Sequence, residues 1–173
     1  GTGTLLDTAR LRLTLHQLTG VSANSIECFA MGEHGDSSMV AMSQITLMGK
    51  PLYQLQQEKT QIFGKITYDM LLERTHQLGM EIVIGKGSTE FGIGAALAVV
   101  CKAVLYDEKR ILPVSALLEG EYGQKGIMAG VPAIIGKGGV EEIIELSLNE
   151  QEQKAFAASC DVIRTYIAKA NAR

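Results

Sequence analysis

A leucine-rich segment near the start of the chain is the feature that most restricts the fold. Leucines occupy positions 5, 6, 11, 13, 15 and 18, with a threonine before them and Gly20 after them. This pattern predicts a helix over Leu5–Leu18 with a threonine N-cap and a glycine stop. On a helical wheel the leucines cover most of the circumference, so other parts of the protein must enclose this helix.

A narrow polar stripe interrupts the leucines of the opening helix. It contains Asp7, Arg10, Thr14 and Gln17. An exposed Asp–Arg pair three residues apart would contribute only a few tenths of a kcal/mol, and this ordinary interpretation stays open. On an enclosed helix, however, a charged pair costs several kcal/mol of desolvation. Enclosure therefore favours a functional role for Asp7 and Arg10.

A glycine-flanked histidine, His34, lies in the segment Met31–Ser38. Apolar runs over 26–30 and 39–47 predict a strand on each side of it, so the histidine is placed at the junction of two strands. The flanking glycines allow a sharp bend and the close approach of another group. The loop is therefore a candidate site, and the alternative is a turn that merely contains a histidine.

The remaining segments predict an α+β fold in which helices pack on an antiparallel sheet. In chain order the patterns indicate a loop with a short helical turn over 52–61, a helix over 65–84, an apolar helix over 91–106, strands over 111–118, 127–135 and 140–148, and a last helix after a capping box at 149–152. We expect one domain over residues 1–173, and an ordinary packing face on the last helix.

The segment from Phe91 to Tyr106 is almost continuously apolar, which predicts a central, buried helix. Ser88 or Thr89 is expected to cap it, and the unpaired N–H groups at its start would favour a nearby anion. His76, in the preceding helix, has charged and amide neighbours in the sequence. We therefore expect His76 to be a solvated surface side chain.

Composition argues against several classes of protein. The chain has 46% hydrophobic and 20% charged residues, with a net charge of −3, so no basic stripe favours nucleic acid or an anionic membrane. Cys28, Cys101 and Cys160 lie far apart in apolar settings, which predicts reduced core thiols. Together with the lack of a leader or a membrane-spanning stretch in the sequence, this predicts a cytoplasmic location.

Two common site motifs are missing from the sequence. The dinucleotide-binding pattern GxGxxG does not occur, because Glu90 and Leu97 occupy the sixth positions of its two candidate runs. Glu33, His34 and Asp36 are clustered, but no second histidine follows at a metal-ligand spacing. We therefore predict no metal site.

Three motifs together resemble a known family. They are Leu6-Asp7-Thr8-Ala9-Arg10, Gly32-Glu33-His34-Gly35-Asp36 and Lys86-Gly87-Ser88-Thr89. The chain is similar, over essentially all of its length, to the C-terminal half of the NAD-dependent L-lactate and malate dehydrogenase family, and to the bacterial L-lactate branch in particular. The resemblance implies NAD as cofactor, bound mainly by an N-terminal half outside this chain. It also implies a small 2-oxo or 2-hydroxy acid as substrate and a homotetrameric full-length protein.

The resemblance also implies roles for five residues. His34 matches the proton acceptor, Asp7 the carboxylate that holds it, and Arg10 the arginine that binds the substrate carboxylate. Thr89 matches a threonine of the substrate pocket, and Ile93 a residue that contacts the cofactor. Oxidising a 2-hydroxy acid requires a base that titrates near neutral pH, and a neighbouring carboxylate raises the pKa of such a histidine. Arginine can hold a carboxylate through two parallel hydrogen bonds.

Two departures from the family pattern limit what the chain alone should do. The cofactor loop and a second arginine, carried on a mobile lid, belong to the other half, so we expect the 173-residue chain alone not to turn over pyruvate and NADH. Arg12 matches an arginine that binds fructose 1,6-bisphosphate in activated bacterial members, but Glu27 occupies the position of the partner histidine. Its negative charge predicts weak or absent activation.

Three alternatives remain open at this point. Malate or L-2-hydroxyisocaproate dehydrogenase belongs to the same class, and the lid residues that would discriminate are absent from the sequence. A purely structural oligomerisation module would use the apolar faces of the opening and last helices. A hydrolase built from His34, Asp7 and Ser37 is less favoured, because no nucleophile elbow accompanies the serine.

Overall fold

The computed structural model describes residues 1–172, and residue 173, the last of the expected domain, lies outside them. Within the described part the α-helices are Gly3–Thr19 (α1), Leu52–Glu58 (α2), Thr60–Phe63 (α3), Tyr68–Lys86 (α4), Phe91–Leu105 (α5) and Glu150–Asn171 (α6). The strands are Ile26–Glu27 (β1), Ala30–Met31 (β2), Met39–Val40 (β3), Thr46–Leu47 (β4), Lys50–Pro51 (β5), Arg110–Glu119 (β6), Lys125–Gly136 (β7) and Gly139–Ile143 (β8). The α+β class is confirmed.

All strand pairs within residues 1–172 are antiparallel. The strands pair as β6-β7-β8, β1-β4-β5 and β2-β3. The predicted meander is therefore present, but its third strand ends at Ile143 instead of position 148. Beyond that point Tyr122 holds the chain by its side chain, since its hydroxyl accepts from the Leu146 N–H at 2.8 Å and donates to the Ile144 carbonyl at 3.1 Å.

The opening helix is enclosed over only part of its surface. Leu11 and Leu15 are completely buried and pack with residues of β1, β4 and α4. The prediction of an enclosed helix fails at Leu13 and Leu18, whose side chains are exposed. Gly20 closes the helix in the left-handed conformation, as predicted. The residue at the N-cap is Thr2, but its side chain makes no capping hydrogen bond.

The central position predicted for the apolar helix is wrong. Helix α5 buries only its small residues Ala96 and Ala103, whereas Phe91 is 84% exposed. The expected cap by Ser88 or Thr89 is also wrong, because Glu90 is the N-cap and makes no side-chain capping bond. The end of α4 and helix α5 thus carry a set of exposed apolar side chains, the α4–α5 apolar group: Met80, Ile82, Val83, Ile84, Phe91, Leu97 and Leu105.

Two segments near His34 differ from the sequence prediction. The apolar run over 39–47 is split by a 3-10 turn at Met42–Gln44, because the Ser43 N–H and hydroxyl both donate to the carboxylate of Glu152 on α6, at 2.7 and 2.6 Å. The strands on the two sides of the His34 loop, β2 and β3, are each two residues long. The segment 52–61, predicted as a loop with a short helical turn, is more helical than expected and forms α2 and the start of α3.

The last helix begins as predicted but packs over a shorter face. Asn149 and Glu152 form the reciprocal capping box. Phe156 and Cys160 are buried, whereas Ile167 is exposed, so the first half of α6 carries the contacts with the core.

Among the cysteines, Cys101 is exposed on α5 and does not belong to the core, contrary to the prediction.

Candidate active site

Asp7, Arg10 and His34 meet at one point of the structure. Asp7 Oδ2 lies 2.7 Å from Nδ1 of His34, and Nη1 of Arg10 donates to Asp7 Oδ1 at 3.1 Å. The Asp7 side chain is 6% exposed and uses one oxygen for each partner. One buried carboxylate therefore fixes both the imidazole and the guanidinium.

Helix α1 and the loop Met31–Ser38 bring these groups together for local reasons. Asp7 and Arg10 share a helix face because they are three residues apart. The buried Thr8 hydroxyl accepts a hydrogen bond from the Ala30 N–H at 2.9 Å, which attaches β2 to α1. The imidazole then lies against the first turn of α1 at Gly3, where a Cβ atom would come within 2.3 Å of the His34 ring. Only glycine permits this approach.

The electrostatics of the site favour a proton on His34. Its hydrogen bond with Asp7 raises the pKa of His34, against the opposing effects of partial burial and of the Arg10 charge. In the neutral form, an Nδ1–H that donates to Asp7 leaves Nε2 as the proton acceptor. The His34 side chain is 49% exposed, so a small molecule can reach that nitrogen.

A residue that the sequence analysis missed supports Arg10. Gly79 of α4 lies against the guanidinium, since a Cβ atom at this position would be 3.0 Å from both Cζ and Nη1 of Arg10. The Nε atom of Arg10 is buried and has no hydrogen-bond partner among the described residues. The available signal was an isolated glycine inside a helix, which costs about 0.5–1 kcal/mol relative to alanine and so indicates a close packing requirement.

His76 is not the solvated side chain that its sequence neighbours predict. Its Nε2 lies 2.7 Å from the hydroxyl of Ser38, which is buried at the end of the His34 loop. Because His76 and Gly79 are one turn apart on α4, this helix contacts both the loop and Arg10. No local pattern in the sequence indicated this contact.

The hydrolase alternative does not fit the geometry. The Ser37 hydroxyl donates to Oε2 of Glu33, and its N–H donates to the same oxygen at 3.3 Å. It makes no hydrogen bond with His34. Ser37 is therefore tied to its own loop and is not oriented as a nucleophile activated by the histidine.

Thr89 and Ile93 stand apart from the three bonded residues. Thr89 is half-buried in the segment between α4 and α5, and Ile93 is half-buried in the first turns of α5. Neither side chain makes a hydrogen bond with His34, Asp7 or Arg10. Beside them, Glu90 accepts hydrogen bonds from Lys86 and Ser88, which lower the pKa of Glu90.

Arg12 and Glu27 line a cleft of 720 Å³ between α1, α5 and β6. The Nε of Arg12 donates to the Ile26 carbonyl at 3.0 Å. The exposed Glu27 carboxylate accepts from the Thr46 hydroxyl at 2.7 Å. The cleft thus contains both the positive guanidinium of Arg12, which already donates one hydrogen bond, and the negative carboxylate of Glu27.

Residues 1–172 include no cluster of three or more His, Cys, Asp or Glu side chains placed to hold a metal ion. None of the helices in this range combines the length and apolar character needed to cross a membrane.

Comparison with known proteins agrees with the resemblance drawn from the motifs. Residues 4–173 match the model of the lactate/malate dehydrogenase, alpha/beta C-terminal domain. L-lactate dehydrogenase 3 of Bacillus cereus is 46% identical over 167 residues, which are 96% of this chain and 53% of that protein. The chain therefore spans about half the length of the relatives that it matches.

Solved structures give the same result. A crystal structure of Cryptosporidium parvum malate dehydrogenase has a TM-score of 0.90 and 29% identity, covering 100% of this chain and 55% of that one. A lactate dehydrogenase from the same organism, complexed with lactic acid and nicotinamide adenine dinucleotide, has a TM-score of 0.86 and 34% identity, covering 95% and 52%. The chain belongs to the lactate/malate dehydrogenase family and has the fold of its C-terminal domain.

Proposed function

We propose that residues 1–173 are the substrate-binding and proton-transfer domain of an NAD-dependent L-2-hydroxy-acid dehydrogenase, specifically an L-lactate dehydrogenase that interconverts pyruvate and L-lactate. The observation that carries this proposal is the bonding of one buried carboxylate, Asp7, to both His34 and Arg10. It leaves an imidazole nitrogen available for a proton and a guanidinium available for an anion. The similarity to L-lactate dehydrogenases supports the choice of substrate.

The imidazole performs the proton transfer. When a 2-hydroxy acid is oxidised, Nε2 of His34 accepts the proton of its hydroxyl group, and in the reverse direction the same nitrogen returns it. Asp7 stabilises the imidazolium ion and keeps the proton of Nδ1 directed to the carboxylate. The raised pKa of His34 suits a group that must hold a proton near neutral pH. NAD, when bound, supplies the acceptor for the hydride that leaves C2.

The guanidinium orients the substrate. Nη1 of Arg10 donates a hydrogen bond to Asp7, and the planar guanidinium group packs against Gly79, which has no side chain. The N–H groups of Nη1 and Nη2 that do not bond to Asp7 are available for the carboxylate of a 2-oxo acid. A planar donor pair holds a carboxylate in one orientation, whereas the single ammonium of lysine does not.

Thr89 and Ile93 complete the proposed site from the start of α5. Thr89 contributes a hydroxyl to the substrate pocket, and Ile93 contributes an apolar surface to the cofactor. Within residues 1–172 the family's glycine-rich cofactor loop is absent, and the chain therefore holds only one side of bound NAD. The dinucleotide-binding half would supply the rest, so the chain alone is inactive.

The α4–α5 apolar group supports a proposal about partners. Exposed apolar side chains this numerous on adjacent segments are typical of an interaction surface. We assign them to contacts with the N-terminal half of the same protein and with other subunits of a homotetramer in the cytoplasm.

Arg12 and Glu27 line their cleft with opposite charges, and activation by fructose 1,6-bisphosphate is accordingly weak or absent.

Malate and L-2-hydroxyisocaproate dehydrogenase are the remaining candidate activities. The similarity to a malate dehydrogenase structure favours keeping the first of them. The three activities share His34, Asp7 and Arg10, and differ in the substrate side chain. They are separated by measuring kcat/KM for pyruvate, oxaloacetate and 2-oxo-4-methylpentanoate.

The test uses a protein that joins this chain to a dinucleotide-binding half. NADH oxidation by pyruvate should be detectable in the joined protein and absent from the 173-residue chain. Arg10→Lys should raise the KM for pyruvate about a hundredfold, because one charge-assisted, two-bond contact is lost. Arg12→Lys, on the same helix, is the matched control. Equal kcat/KM values for Arg10→Lys and Arg12→Lys would refute the proposal.

A further inference from the structure

The His34 loop is attached to a helix that lies far from it in the sequence. The main-chain N–H of Glu33 donates to Oγ of Ser159 at 2.8 Å, across 126 residues. Ser159 belongs to α6 and is 1% exposed. The amide that directly precedes His34 thus depends on a buried hydroxyl of the last helix for its hydrogen bond.

The backbone of the loop is shaped to receive this hydroxyl. Gly32 has a φ of +87°, and a Cβ atom there would lie 2.3 Å from Oγ of Ser159 and 2.8 Å from its Cβ. A side chain at position 32 is therefore excluded, and Ser159 occupies that space. Ser159 Oγ also lies 3.4 Å from Oγ of Ser37, on the far side of His34 in the loop. Ser159 is thus placed against both ends of the segment that carries the histidine.

We propose that Ser159 is a positioning residue that sets the location of His34 over Asp7. The proposal rests on the proposed function, because it concerns the proton-transfer site. The two hydrogen bonds between Gly32 and Gly130 fix the loop one residue earlier, and the bond to Ser159 is the last attachment before the histidine. Without the hydroxyl, a part-buried N–H group loses its acceptor, and the loop relaxes to find another one. The His34–Asp7 distance then lengthens.

The first readout is the pKa of His34 in the full chain, followed by NMR of the imidazole during a pH titration. Ser159→Ala should lower this pKa towards the ordinary value, because a longer His34–Asp7 distance weakens the interaction that raises it. The amide proton of Glu33 should exchange about ten times faster with solvent. Thr165→Ala is the matched control, since it removes a hydroxyl from the exposed part of α6 that bonds only within its own helix.

The second readout is activity of the protein that joins this chain to a dinucleotide-binding half. Ser159→Ala should lower kcat about ten- to a hundredfold, because misplacing a catalytic group by a fraction of an ångström slows the chemical step. The KM for pyruvate should stay within about twofold, because Arg10 is untouched. A lower pKa of His34 in a joined protein that has no dehydrogenase activity would refute the proposed function while supporting the role of Ser159.

The proposal is overturned if Ser159→Ala speeds exchange of the Glu33 amide but leaves the pKa of His34 equal to that in Thr165→Ala. The serine would then be only structural. If Ser159→Ala does not fold, Ser159→Cys carries the test, because a thiol fills similar space but is a weak acceptor. Ser159→Cys should also lower the pKa of His34, and an unchanged pKa in that variant overturns the proposal.

Discussion

The region around α1 and the α4–α5 apolar group differ in where their partners come from. Around α1, the carboxylate of Asp7, the hydroxyl of Thr8 and the side chain of Leu11 all find partners within the chain. The α4–α5 apolar group leaves Phe91, Leu97 and Leu105 more than half exposed. The named groups of the first region have partners within the chain, whereas the second region is an exposed apolar surface.

Polar and apolar sequence patterns carry different information about the fold. A buried carboxylate needs specific partners at hydrogen-bond distance, and few arrangements of one chain supply them. An apolar helix needs only to be removed from water, and any apolar surface can do so. We therefore place the proposed proton transfer in the region around α1, and the proposed contacts with other polypeptides at the α4–α5 apolar group.

Replacing the imidazole of His34 tests the proposed proton transfer in the region around α1. In a protein that joins this chain to a dinucleotide-binding half, His34→Gln should lower kcat for pyruvate reduction about 10²–10⁴-fold, the typical contribution of a positioned general acid or base. His16→Gln is the control, because His16 is an exposed histidine of α1 bonded only to the Val21 carbonyl. Steady-state kinetics measure both. If the two variants have the same kcat, the region around α1 is not a proton-transfer site.

The next effect compares two leucines, one in each region. Leu11→Ala should lower the free energy of unfolding by about 2–5 kcal/mol, because it leaves a cavity in a fully buried site. Leu97→Ala should change it by less than about 0.5 kcal/mol in the 173-residue chain, because its side chain is 53% exposed. Urea denaturation measures both values. Similar losses would show that the α4–α5 apolar group is covered by this chain after all.

Helix ends and turns that are determined by neighbouring residues were predictable from the sequence. The capping box of Asn149 and Glu152 and the glycine stop at Gly20 determine helix ends through neighbouring residues, and the structure has both. The meander was predictable because glycine-bearing turns separate its apolar strands. The low burial of α5 was not predictable. Its apolar composition indicates that the helix avoids water, but not whether this chain or another polypeptide buries it.

The candidate site was predictable only in part. Its three principal residues came from motifs, since neither periodicity nor composition places His34 beside Asp7. Gly79 and Ser159 were missed because their contacts depend on how α4 and α6 approach the site, and Ser159 lies 126 residues from its partner amide. Sequence patterns describe a segment and its own neighbours, whereas such contacts exist only after the whole domain has packed.

A smaller effect tests the α4–α5 apolar group as a docking surface. Leu97→Ser should weaken binding of the 173-residue chain to a separately produced dinucleotide-binding half by about ten- to a hundredfold, because a leucine side chain contributes about 1.5–3 kcal/mol when buried. Calorimetry or ultracentrifugation measures this affinity. Leu13→Ser removes an exposed leucine from α1 and serves as control. A larger loss of affinity in Leu13→Ser would move the docking surface to α1.

The smallest effect is the pH dependence that His34 gives to stability. Folding raises the pKa of His34, so the folded chain binds this proton more tightly than the unfolded chain. The resulting stabilisation is fully present below the ordinary pKa of 6.5 and is lost as the pH rises through the folded pKa. Urea denaturation at about pH 5.5 and about pH 9 should therefore show a larger advantage of the native chain over His34→Gln at the lower pH.

The effect is modest because half of the His34 side chain is in water, which screens its interaction with Asp7. Asp7→Asn provides the decisive control. It removes the carboxylate that contributes most to the raised pKa of His34, so the dependence of the His34→Gln difference on pH should shrink in that background. If the dependence is unchanged without Asp7, other groups such as Glu33 account for the raised pKa of His34, and the hydrogen bond to Asp7 does not hold the proton on the imidazole.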